Sequence, residues 1–303
     1  MLWEAGMAQS LEALSRRTDS MKGIRSVVHT MKTLSVINAA PYEHAASAVE
    51  AYHATILDGL HAFFAGTVVD MPQPDLGKEI CVVFGTDHGL CGNYNEVLAA
   101  HVKDRIGNRP TLILCVGAQM ADALADQNIP VAAVVFPPAS VGGIGRMANL
   151  LTQKLDGIRQ GIAPRDISVS LAYFSQEGDT SQRPEFKALL PLSSELMIGS
   201  LTSPWKSRSL PHATMPPAAL FQSLLRGHLF ASMFRAAADA LVTENTARLA
   251  LMQQAEHTVD DRLAELLAET RAVRQNEITT ELLDVIVGFE ALKKRNSNQA
   301  SDP

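Results

Sequence analysis

The sequence predicts an α/β protein in which an antiparallel coiled coil of long N- and C-terminal helices carries an inserted Rossmann-like α/β domain. Three observations lead there. An apolar stripe of helical period opens the chain, short β-branched runs alternate with helix-length segments in the middle, and residues 218–292 contain no proline.

In the first element Leu11, Leu14, Met21, Ile24, Val28, Met31 and Leu34 recur at steps of three, four or seven, which places them on one helical stripe with a polar slot at Arg17 and Thr18. Helical composition continues to residue 66. Pro41 lies inside it, lacks a backbone donor, and is expected to kink or break the helix there. The first segment is therefore a coiled-coil helix over 10–66, bent near residue 41.

Residues 80–84, 112–116, 131–136 and 167–174 are short, apolar and β-branched, with helix-like stretches at 93–106, 118–127 and 146–160 between them. Strands alternating with helices of this length imply parallel βαβ units covered on both faces, in a domain over 77–192. Residues 199–217 hold Pro204, Pro211, Pro216 and Pro217 among serines and read as a linker.

At ~1.5 Å per residue, a helix over 218–292 would be roughly 110 Å long, more than one compact domain buries. Leu249, Met252, Val259, Leu263, Leu266 and Val273 follow alternating four-and-three steps, with Glu256 and Thr270 as polar interruptions. After a step of five, Ile278, Leu282, Val285, Phe289 and Leu292 open a second phase, a predicted register shift. The natural partner of this stripe is the N-terminal one. Residues 293–303 form a polar tail.

The chain has 303 residues, 47% hydrophobic and 19% charged, enough for one large or two modest cores. A net charge of −6 gives no general electrostatic reason to bind nucleic acid or an anionic membrane. Cys81, Cys91 and Cys115 show no CxxC spacing, so neither a disulfide framework nor a structural zinc site is indicated. Residues 1–9 lack the pattern of a signal peptide, and Met7 is a candidate alternative start. The longest uncharged run, 129–145, is interrupted by prolines and glycines and is not a membrane span.

Residues 85–93 follow the first strand and open a helix, where phosphate loops sit, but the spacing is neither GxGxxG nor a lysine-bearing P-loop. A tight strand-to-helix turn is the plainer reading. Asp87, His88 and Cys91 invite a nucleophilic Cys-His reading, with no second motif to anchor it. His29, His44, His53 and His61 share no face at i, i+3 or i+4, so no metal site is assigned, and no cofactor is expected. Arg16, Arg17, Lys22, Arg25 and Lys32 form a basic stretch, either a solvated face or a complement to acidic segments of a partner.

Three stretches together resemble the gamma subunit of rotary F-type ATP synthases. Residues 21–32, MKGIRSVVHTMK, are similar to that family's first helix. Residues 86–95, TDHGLCGNYN, resemble its SDRGLCGGLN. Residues 274–281 and 285–292, RQNEITTE and VIVGFEAL, resemble its ARQAxITxE and EIVxGAxAL endings. Their order and placement cover nearly the whole chain.

The resemblance implies a non-catalytic central stalk without bound nucleotide. Its coiled coil would turn inside a hexamer of alternating alpha (α) and beta (β) subunits, and its globular part would meet the epsilon subunit and the membrane c-ring. Membrane association would come only through the complex, at the cytoplasmic face of the bacterial plasma membrane. Gln275, Thr279 and Glu281 match family positions near the beta contact, as does Arg248. Met31 and Lys32 match the facing segment of the first helix, and Asp87 and Cys91 lie in the loop near the base of beta. Residues 35–41, SVINAAP, depart from the family's AASKM-like stretch, and His88 replaces the usual arginine, which makes the loop's charge depend on protonation. These departures suggest a divergent bacterial branch of the alternative operon type associated with sodium coupling. The alternatives are a Rossmann-like nucleotide-binding enzyme with coiled-coil oligomerisation arms and a generic scaffold. Purified alone, the chain is expected neither to bind nor to hydrolyse ATP, and turnover by the isolated chain in a steady-state assay would favour the enzyme.

Overall fold

Short runs with alternate residues buried on opposite faces make strands, and five pair here into one sheet. They are β1 (Lys78–Phe84), β2 (Thr111–Val116), β3 (Val131–Val135), β4 (Ile167–Glu177) and β5 (Ser181–Leu190), in the order β3-β2-β1-β4-β5. The first four are parallel and β5 is antiparallel to β4. The structure, a computed structural model, describes residues 2–66, 77–159, 167–177, 181–192, 209 and 212–299, with side chains described over 11–64, 77–159, 167–176, 182–192, 209 and 212–290. Most of the proline-rich stretch 199–217 lies outside these residues.

The helices are α1 (Leu2–Gly66), α2 (Tyr94–Ile106), α3 (Ala118–Asp126), α4 (Ile144–Arg159) and α5 (Pro217–Gln299). The chain divides into two compact units, one of Met1–Lys32 with Met252–Pro303 and one of Thr33–Leu251. The inner parts of both long helices thus belong to the same unit as the sheet.

In that unit Cys81, Val83, Ile113 and Cys115 point to one face, against Leu98 and Val102 of α2 and Met120 and Leu124 of α3. Ile80, Val82, Phe84, Val169 and Leu171 point to the other, against Leu151 and Leu155 of α4 and Leu225, Leu229 and Met233 of α5. Burying each large side chain contributes about 1.5–3 kcal/mol. From Ala231 to Ala240, α5 is buried almost all round, with Ala231, Ala236, Ala237, Ala238 and Ala240 taking up little room. Tyr94 of α2 ties into it, its hydroxyl 2.9 Å from Thr243 Oγ1 and 3.3 Å from the Ala240 carbonyl.

Two features differ from the sequence reading. The break expected at Pro41 does not occur, because α1 runs unbroken through it. Pro41 cannot donate to the Ile37 carbonyl, yet both residues are exposed, so water can satisfy that carbonyl, while buried Tyr42, Ala46 and Val49 hold the next turns. The strand β5 was not foreseen. Its sequence, SQRPEFKALL, carries three charges and Pro184, which a sheet accepts only at an edge, and β5 is the edge strand.

Gly117 joins β2 to α3 at φ +100°, and a Cβ there would lie 2.4 Å from the Thr86 carbonyl oxygen. Replacing it with alanine should lower the unfolding free energy by about 2 kcal/mol or more. Gly23, mid-helix in α1 with open space around it, should behave oppositely, with Gly23→Ala stabilising by roughly 0.5–1 kcal/mol. Denaturant unfolding measures both.

Candidate functional site

The loop from Gly85 to Asn93 is closed by the protein's own groups. The Thr86 N–H donates to Asn95 Oδ1 at 3.0 Å, and Asn95 Nδ2 donates back to Thr86 Oγ1 at 2.8 Å. Asp87 Oδ1 accepts the Ala118 N–H at 3.0 Å, placing its carboxylate at the positive N-terminus of α3. The Thr86 N–H, which follows the strand where a phosphate loop would offer donors, is thereby engaged within the protein. Leu90 and Gly92 take φ of +67° and +68°, and the turn they make exposes His88 and Leu90.

Cys91 points inward, 5% exposed, with Sγ 3.7 Å from Thr86 Oγ1 and 3.8 Å from the His88 carbonyl. Burial pushes its thiol up, so it stays protonated at neutral pH and is a packing group rather than a nucleophile. The same cause pushes Cys81 and Cys115 up to about 12. Among the described residues, no group of three or more His, Cys, Asp or Glu could hold a metal ion.

Arg248 braces this loop from α5. Its Nη2 lies 2.5 Å from Glu244 Oε1 and 3.5 Å from the Gly89 carbonyl, and both side chains of the ion pair are nearly buried. Burial pushes the Glu244 carboxyl up, and the Arg248 guanidinium opposes that shift. A Cβ on Gly92 would come within 3.1 Å of Leu251, so the loop also packs closely on the next turn of α5.

In the other unit α1 and α5 are antiparallel, and their seam keeps the four-and-three steps without a break. On α5 it runs through Met252, Glu256, Val259, Leu263, Leu266, Thr270 and Val273, and on α1 through Leu14, Thr18, Met21, Arg25, Val28 and Lys32. The polar slots are filled from within the chain. The Thr18 hydroxyl donates to the Leu14 carbonyl at 2.8 Å, Arg25 Nε meets Asp260 Oδ1 at 2.7 Å, and Lys32 Nζ meets Glu256 Oε2 at 2.6 Å. His29 Nδ1 lies 3.2 Å from the other Glu256 oxygen, and Lys32 and His29 together hold that carboxyl below its usual range. Because the seam passes through Arg25 and Lys32, Ile24, assigned to the stripe above, is half exposed instead.

This register separates residues that the sequence reading grouped. Half-buried Met31 and Lys32 face the turn of Glu256, not residues 275–281, which lie roughly 28 Å farther along α5 at ~1.5 Å per residue. Gln275, Thr279 and Glu281 are exposed, and the Thr279 hydroxyl donates to the Gln275 carbonyl at 2.8 Å. The predicted second phase does not form a seam either. Partial burial continues on Glu277 and Thr280, while Ile278, Leu282, Val285 and Phe289 are 53%, 59%, 69% and 71% exposed. The Leu292 side chain lies outside the described residues. Leu283, Ile286 and Val287 are exposed as well, so the end of α5 carries a broad apolar face, opposite Glu277, Glu281 and Asp284, that the described residues leave more than half open.

The candidates thus fall into three sets: Asp87, Cys91 and Arg248 around the loop, Met31 with Lys32 on the seam, and Gln275, Thr279 and Glu281 on the outer surface of α5. Sequence reasoning missed Glu244, although its place four residues before Arg248 was a usable signal, and missed Glu256 and Asp260 as the partners of the basic stretch.

A family model described as ATP synthase matches residues 10–292. The ATP synthase gamma chain of Wolbachia sp. subsp. Drosophila simulans (strain wRi) is 23% identical over 298 residues, covering 94% of this chain and 100% of that one. The gamma chain of Geotalea uraniireducens (strain Rf4) is 24% identical over 298 residues, with 94% and 99% covered. Among solved structures, a chain of the Euglena gracilis mitochondrial ATP synthase (OSCP/F1/c-ring, rotational state 3) superposes with a TM-score of 0.65 at 15% identity, covering 95% of this chain and 96% of that chain. A chain from the rotor of the same enzyme in rotational state 1 gives 0.62 at 14% identity, with 89% and 99% covered.

Replacing Arg248 with methionine should destabilise the chain by about 3 kcal/mol in denaturant unfolding, because it strands the Glu244 carboxylate. Leu14 and Val273 line one cavity, so the pair Leu14→Cys with Val273→Cys should cross-link on mild oxidation, whereas Leu14→Cys with Leu282→Cys should not. Non-reducing electrophoresis reads the difference.

Proposed function

Because the chain belongs to the ATP synthase family, as one of its gamma subunits, we propose that the apolar end of α5 seats inside the ring of alpha and beta subunits, which it contacts beyond the seam of its own coil. The subunit is the non-catalytic central-stalk rotor of the F-type complex. The observation that carries the proposal is the run of large apolar side chains from Ile278 to Phe289, more than half exposed over a broad face of a continuous helix. Such a surface in water marks an interface.

On this reading the beta contacts divide as the geometry does. Gln275, Thr279 and Glu281 touch beta directly, since nothing in the seam needs them. Met31 and Lys32 form a second contact near the Glu256 turn. The loop touches beta through His88 and Leu90 at its tip, while Asp87, Cys91 and Arg248 hold the tip in place. The α/β part meets the epsilon subunit and the c-ring, and α1, which stays helical through Pro41, bends there without breaking. No helix of the described residues is long and apolar enough to cross a membrane, so membrane association through partners at the cytoplasmic face of the bacterial plasma membrane fits the chain. The divergent motif at residues 35–41 supports a place in the alternative sodium-associated branch.

Reconstitution with cognate alpha and beta subunits should restore coupled ATPase activity, and failure to restore it would overturn the rotor reading. Leu282→Glu with Phe289→Glu should leave the thermal midpoint of the isolated chain unchanged and abolish assembly into the hexamer, measured by size-exclusion chromatography. Gln275→Ala or Thr279→Ala should change hydrolysis by the assembled complex while shifting stability by no more than about 0.5 kcal/mol.

A further inference from the structure

Where α1 and α5 cross beside the sheet edge, His53 Nε2 and His228 Nδ1 lie 2.9 Å apart, with ring centroids 5.0 Å apart and planes tilted by 33°. His228 is 4% exposed and His53 is half-buried. The helices approach closely on one side of the pair, toward the end of α1. A Cβ on Gly227 would come within 2.9 Å of Ile56, and one on Gly59 within 2.8 Å of Leu224. His53 also lines a cavity of about 540 Å³ whose wall includes the Ser232 hydroxyl, buried and without a hydrogen-bond partner.

We propose that His53 and His228 form an acid-sensitive latch between α1 and α5, closed while the pair carries at most one extra proton and open when both rings are charged. In the neutral pair one ring nitrogen donates its proton to the lone pair of the other. A first added proton keeps an N–H facing a lone pair, but leaves a charge in a site that burial disfavours. A second removes the remaining lone pair. Two N–H groups then face each other with no acceptor between them, so the helices must separate and let water from the cavity reach both rings.

The surrounding charges favour the closed form at neutral pH. From β5, Lys187 opposes a charge on either ring, and from α5, Arg235 opposes one on His53. From α1, Glu50 acts the other way on His53, but its carboxylate already accepts from Arg235 Nη1 at 2.7 Å, and Asp239 lies 3.4 Å from Arg235 Nε. Arg183 and Glu185 of β5 and Tyr173 of β4 complete the charged and titratable wall. Burial, His53 and Lys187 hold His228 down to about 4, and burial, Lys187 and Arg235 lower His53. The closed form therefore binds fewer protons than the open one. Its stability is full above the ordinary histidine range near about pH 6.5 and is lost as the pH falls toward the His228 value.

Hydrogen exchange on the full chain, read in peptides covering 45–64 and 220–235 and corrected for intrinsic rates, tests the latch. Between about pH 7.5 and about pH 5 the opening equilibrium in these peptides should rise at least about ten-fold in the wild type. The variant His53→Gln with His228→Asn keeps a hydrogen-bonding pair that does not titrate, and its rise should stay under about two-fold. Equal responses in the two proteins, or none in the wild type, would overturn the proposal. If the variant does not fold, NMR titration of the wild-type imidazoles decides instead: both rings must titrate below about 6.5, and either one doing so at or above that value defeats the latch.

Discussion

Arg25 and Lys32 occupy heptad positions that a coiled coil ordinarily gives to apolar side chains, and their pairing with Asp260 and Glu256 fixes how α1 and α5 pass each other. A shift by one heptad toward the end of α5 would set Leu267 opposite Arg25 and Leu263 opposite Lys32, and the opposite shift would set Leu249 opposite Lys32. Pairs this exposed add little stability, and their effect is to exclude other registers. Once that alignment is set, the places of Met31, Thr18 and the uncovered end of α5 follow, because a helix leaves no freedom between one turn and the next.

The same two helices meet different demands in the two units. Next to the sheet, α5 is buried nearly all round and must fill a core, so its residues are small or apolar on every side. In the other unit it has only α1 to pack on and keeps a narrow seam, with charge on the flanks. At its far end it shows a broad apolar face, now without a core, and that mismatch between composition and surroundings is the clearest mark of a subunit built to sit inside something larger.

Much of the fold was legible in the sequence because its signals are periodic. The parallel strands β1 to β4 announced themselves as β-branched runs at βαβ spacing, and the long final helix by the lack of proline. The edge strand β5 was hidden, since a strand hydrogen-bonded on one side and partly exposed has little reason to look apolar. The seam was misread where polar residues stand in it: periodicity counts hydrophobic residues, while the register here is held through Thr18, Arg25 and Lys32, whose partners lie more than 200 residues away in the case of the two cations. For the same reason the loop motif showed where a functional surface begins but not that Cys91 faces inward, since a motif records residue types and not the direction in which they point.

The alanines between Ala231 and Ala240 carry a mechanical implication. Alanine has no side-chain rotamers, so a contact built from it cannot absorb displacement by letting a long side chain change its angle. A twist applied along α5 must there be taken up by the backbone or passed to whatever the helix touches. Side-chain play is thus minimal where α5 is gripped most completely, and the segment behaves as a keyed joint with little backlash.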